Sequence, residues 1–79
     1  MFLEITGFLI EDSEDDSLKF ALNVGPGFEQ GIMEVLGWKS MEAEANGDLP
    51  LTTAQVEAIT AVIGTPLPMH LEMFIGVRP

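Results

Sequence analysis

The sequence predicts an α+β domain: a small antiparallel sheet of three or four strands with two helices packed on one face, in the order β-β-α-(β)-α-β. Three observations carry that class. Apolar and polar side chains alternate with a period of two near both ends of the chain. Apolar residues at helical spacing occupy two inner segments, and glycine or proline marks the boundaries between these patterns.

Residues 2–10 are rich in β-branched and aromatic types, with Leu3, Ile5 and Leu9 on one parity, as a strand buried on at least one face requires. Residues 11–17 (EDSEDDS) break this pattern with five carboxylates, which cannot share a core, so they read as a solvated loop. Leu18, Phe20, Leu22 and Val24 then alternate with Lys19, Ala21 and Asn23, giving a second strand and an antiparallel hairpin.

Gly25 and Pro26 open a helix, because proline in a first turn loses no intrahelical hydrogen bond. Phe28, Ile32, Val35 and Leu36 form its stripe, Gly37 is placed to end it, and Gly31 inside it suggests close packing. Residues 38–45 alternate weakly and read as a short edge strand in preference to a helical turn, followed by turn residues Asn46, Gly47 and Asp48.

Thr52 and Gln55 fit a capping box, with Leu51 and Val56 at the positions of a hydrophobic staple. The helix that starts there would bury Val56, Ile59, Val62 and Ile63, with Ala54, Ala58 and Ala61 letting it approach the sheet, and would stop at Gly64 and Pro66. Met69, Leu71, Met73, Ile75 and Val77 alternate with His70, Glu72, Phe74 and Gly76, a strand expected near the sheet centre.

Seventy-nine residues make a single domain, 1–79, with a thin core. The absence of cysteine excludes disulfide and thiolate-metal staples. Yet 47% of the residues are apolar against 20% charged, a high apolar share for so small a body, so a homodimer or a stable partner interface is expected to cover the excess. The formal charge of −10 repels phosphate backbones, which argues against direct nucleic-acid binding and for a partner with a basic surface. No apolar run is long enough to span a membrane, and Met1 leads into a strand pattern without the basic start of a signal peptide. A cytoplasmic protein is therefore expected.

Acid-base catalysis needs a group that titrates near neutrality, and His70, the lone histidine, has only Glu72 on its parity to orient it. A sheet-face histidine beside a carboxylate is the plainer reading, and no enzyme activity, metal or cofactor is predicted. Asp12, Glu14 and Asp16 have the spacing of early calcium ligands, but Ser17 stands where the calcium loop requires glycine and Asn23 where it requires glutamate. Asp16, Ser17 and Leu18 resemble the tripeptide that carries phosphopantetheine in acyl carrier proteins. Those are all-helical, whereas strand patterns flank the tripeptide here.

The carboxylates themselves remain. Glu11, Asp12, Glu14, Asp15 and Asp16, with Glu42, Glu44 and Asp48, could imitate a run of phosphates and occupy a lysine- and arginine-rich groove; as a bare charge run they would serve solubility. Trp38 is either an exposed interface anchor or a cover for the end of the first helix. The expected function is a non-enzymatic inhibitor that occupies a basic, nucleic-acid-binding surface of a larger protein or ribonucleoprotein. In size and charge it resembles phage-encoded antagonists of host defence, including anti-CRISPR inhibitors. The alternatives are a homo-oligomeric structural subunit of a phage or bacterial complex, and an immunity protein against a basic nuclease toxin.

Overall fold

The computed structural model describes residues 1–9, 18–44 and 47–79. Four strands form one antiparallel sheet: β1 (Phe2–Leu9), β2 (Phe20–Asn23), β3 (Asp48–Pro50) and β4 (Leu71–Arg78), in the order β2-β1-β4-β3. Two helices, α1 (Glu29–Leu36) and α2 (Thr53–Ile63), complete the α+β fold. The strand nearest the C-terminus is central, as its alternation implied.

β1 and β4 pair along eight residues, from Phe2 opposite Arg78 to Leu9 opposite Leu71, so the odd-numbered residues of both share one face. Leu3, Ile5, Leu71, Met73 and Ile75 on that face are buried, and they join Ile32 of α1 and Val56 and Ile59 of α2 in one core. Both helices therefore cover the same side of the sheet. Fully burying an isoleucine such as Ile59 contributes about 2 kcal/mol, so a handful of these residues holds the domain together. Gly7 lies on this face because nothing larger fits: a Cβ there would meet Met73 Sδ at 2.9 Å and Phe20 Cβ at 3.2 Å.

The ladder between β1 and β2 runs past the regular strand, since Lys19 N–H donates to Gly7 O at 2.9 Å and Val24 N–H to Leu3 O at 2.8 Å. Phe20, Leu22 and Val24 turn toward the core while Lys19, Ala21 and Asn23 are exposed, as the alternation implied, but Leu18, expected on the buried face, precedes the strand and is 51% exposed.

Three further expectations need correction. Phe28 is 43% exposed and off the buried stripe, because Pro26–Phe28 is a 3-10 turn with a different angular step from the α-helix that follows. Of the segment 38–45, the described residues 38–44 do not form the extra strand. There Ser40 Oγ accepts from Ala43 N–H at 3.2 Å and Glu42–Glu44 winds into a 3-10 turn, a local bond that competes with sheet pairing. The fourth strand is Asp48–Pro50 instead, and Pro50 is tolerated there because β3 is an edge strand.

The third correction concerns α2. Ala54 and Ala61 are exposed and Ala58 half-buried, so alanines do not mediate close packing on the sheet. Close approach occurs between the helices, where a Cβ on Gly31 would lie 2.9 Å from Val62 Cγ1. The start of α2 is as expected: Thr52 Oγ1 accepts from Gln55 N–H at 3.1 Å, and Gln55 Oε1 accepts from Thr52 N–H at 2.8 Å. Left-handed glycines end both helices, Gly37 at φ 72° and Gly64 at φ 70°.

Candidate functional site

The acidic residues singled out from the sequence are only partly placed. Glu11, Asp12, Glu14, Asp15 and Asp16 lie outside the described residues, as does the side chain of Glu42. Glu44 is exposed in the 3-10 turn after α1, whereas Asp48 on β3 is held in an ion pair with Arg78 and does not stand clear for a partner. Trp38 follows the left-handed Gly37, its backbone N–H donates to Met33 O at 2.9 Å, and its half-buried indole packs against the core. It closes the end of α1.

His70 stands in the turn before β4 and is exposed, which corrects its expected place inside the strand; Glu72 is exposed on β4. Among the described residues no group of three His, Asp or Glu side chains is placed to hold a metal ion, and no described helix is long and apolar enough to cross a membrane.

The face of the sheet opposite the helices carries the even-numbered residues of β1 and β4. Phe8 and Phe74 meet there edge to face with ring centroids 5.8 Å apart. Thr6 is buried between the strands and its Oγ1 has no hydrogen-bond partner among the described residues. At the other end of the same face, Arg78 Nε donates to Glu4 Oε1 at 3.0 Å and Arg78 Nη1 to Asp48 Oδ1 at 2.9 Å.

Gly76 pairs with both Glu4 and Asp48, so three charged side chains from three strands converge over the one position without a Cβ. A Cβ at Gly76 would fall on the Asp48 carboxylate and the Arg78 guanidinium. The hydrogen bond to Asp48 is the main cause that holds the Arg78 pKa above its ordinary value, with the Glu4 bond adding to it. Arg78 is thus paired with two carboxylates of the same sheet face.

A third feature, on the flank of α2, was not anticipated. One cleft of about 340 Å³ is lined by Leu51, Thr53, Val56, Met69, Glu72 and Met73, among others. A second, of about 280 Å³, is lined by Glu57, Thr60, Pro66, Leu67 and Met69. Met69 belongs to both, and Thr53, Val56, Glu57 and Thr60 follow one another at i, i+3, i+4 and i+7 along one side of the helix. The helical spacing was visible, but its opposite wall comes from the segment entering β4, which only folding brings alongside.

No family model matches this sequence, and no curated protein or solved structure matches it either, so its site is defined by its own residues and their geometry.

Proposed function

We propose that this protein is a non-enzymatic binding protein that inhibits a larger partner by occupying that partner's basic, nucleic-acid-binding surface. The observation that carries the reading is the charge layout. Residues 1–48 hold eleven of the thirteen acidic side chains and two of the three basic ones, a net charge of −9. The third cation, Arg78, is bound by Glu4 and Asp48. A field of this sign steers the chain toward cationic grooves and away from nucleic acid itself.

By likeness of size and charge, the reading places the chain with phage-encoded antagonists of host defence of the anti-CRISPR type. An immunity protein against a basic nuclease toxin would use the same physics on a different target. Pull-down from a host lysate at low and high salt identifies the partner. With that partner in hand, reversing Asp12, Asp15 and Asp16 together to lysine is expected to slow association at least tenfold and to flatten its dependence on salt. Unchanged association rates would remove the electrostatic mechanism.

A further inference from the structure

Two open clefts beside α2 share Met69 as a lining residue and each has one carboxylate in its wall, a pair referred to together as the groove. We propose that this groove receives the apolar side chains of a basic amphipathic segment of a partner protein. The inference rests on the reading above for the partner's basic character, and adds the place where its apolar residues lodge.

Met69 is 49% exposed although it lies among apolar groups, and neighbouring Leu67, Leu71 and Met73 are buried. An unbranched thioether with several rotatable bonds can shift to admit side chains of different shape, a property that suits methionine to adaptable binding grooves. The volumes, about 340 and 280 Å³, are at the low end of small-ligand pockets, and both clefts are open to solvent. Such clefts fit side chains arriving from outside better than an enclosed cofactor.

Charge decides what kind of segment carries them. Glu72 lines the first cleft and Glu57 the second, and among the described residues no lysine, arginine or histidine lines either. A lysine- or arginine-rich segment would place its cations against these two carboxylates and its apolar residues on either side of Met69. An acidic segment would be repelled, and a second copy of this chain would bring its own charge of −10. The stretch from Thr53 to Thr60 spans about 10 Å of helix, enough to meet apolar residues one to two turns apart on an incoming helix.

The test uses the full chain labelled at the methionine methyl groups, which separates Met69 and Met73 in the groove from Met1, Met33 and Met41. The probe is a peptide of about 15 residues built from lysine and leucine at helical spacing, with a control in which serine replaces leucine at unchanged charge. Saturable shifts at Met69 and Met73 with the leucine peptide but not with the serine peptide are expected. Combining Glu57→Gln with Glu72→Gln should weaken that binding about fivefold to tenfold.

The proposal is overturned if the leucine peptide leaves both methyl groups unmoved, or if the serine peptide shifts them equally. Concentration-dependent shifts at Met69 without peptide would overturn it in favour of a second copy. Failure here is separable from failure of the inhibitor reading. Reversal of Asp12, Asp15 and Asp16 tests the electrostatic surface with the natural partner, whereas the peptide pair tests the groove alone.

Discussion

Thr6 shows what a single buried atom can cost. Its neighbours on the sheet exclude water from the hydroxyl, and Oγ1 finds no partner among the described residues. A buried hydroxyl left unsatisfied costs about 1–3 kcal/mol, and valine keeps the β-branched shape without the polar atom. Thr6→Val is therefore expected to raise stability by about 1 kcal/mol, read as a higher urea midpoint with an unchanged slope. A lower midpoint would mean that the hydroxyl is bonded in solution. Arg78 is the opposite case, where one side chain satisfies two others. Surface ion pairs are individually worth about 0–1 kcal/mol, but removing this cation leaves Glu4 and Asp48 facing each other across Gly76 in an already anionic molecule. Arg78→Gln should lower stability by about 1 kcal/mol in dilute buffer and by less in 1 M salt, where screening softens the repulsion between the stranded carboxylates.

At the scale of the elements, α1 and α2 meet where Gly31 faces Val62. Alanine at Gly31 would gain about 1 kcal/mol of helix propensity, but its Cβ would sit 2.9 Å from a β-branched methyl with little freedom to turn away. Overpacking costs about 1–3 kcal/mol, so Gly31→Ala is expected to destabilise by about 1 kcal/mol net. Gly27 supplies the comparison, because nothing lies within 4 Å of a Cβ there; in thermal melts of both variants Gly31→Ala should lower the midpoint and Gly27→Ala leave it unchanged or slightly raised. Elements of this kind were legible in the sequence where their causes are local. The Thr52–Gln55 box, the alternation in β2 and β4, and the glycine stops each depend on residues a few positions apart. The failures have the converse cause. Residues 38–45 carry a weak alternation that the Ser40 hydroxyl overrides, and β3 is too short to show a period at all. The Glu4–Arg78–Asp48 cluster and the groove around Met69 join residues distant in sequence, so neither has a local signature. Of the acidic residues expected to face a partner, Glu44 is exposed and Asp48 is bound by Arg78, whereas the stretch from Glu11 to Asp16 was recognised from charge alone and lies outside the described residues.

For the whole molecule, two interactions compete with opposite dependence on salt. The domain measures 35 × 25 × 18 Å, and its thinnest dimension suits one sheet and one helical layer. No described helix covers the second face of the sheet, which bears Phe2, Phe8 and Phe74, each half-buried. Two copies meeting there would hide apolar surface, but each brings a charge of −10, which opposes the approach most strongly when the screening length is long. Self-association, as a structural subunit would need, should therefore strengthen as salt rises, whereas capture of a basic partner should weaken. Sedimentation velocity on the chain alone tests the first half. A monomer is expected in 10 mM salt, where the screening length is about 30 Å, and any dimer should appear only toward 1 M, where it falls to about 3 Å. A closed oligomer already present at 10 mM would mean that apolar contact outweighs the repulsion. The apolar excess would then be the working feature of the chain, with its acidity serving solubility.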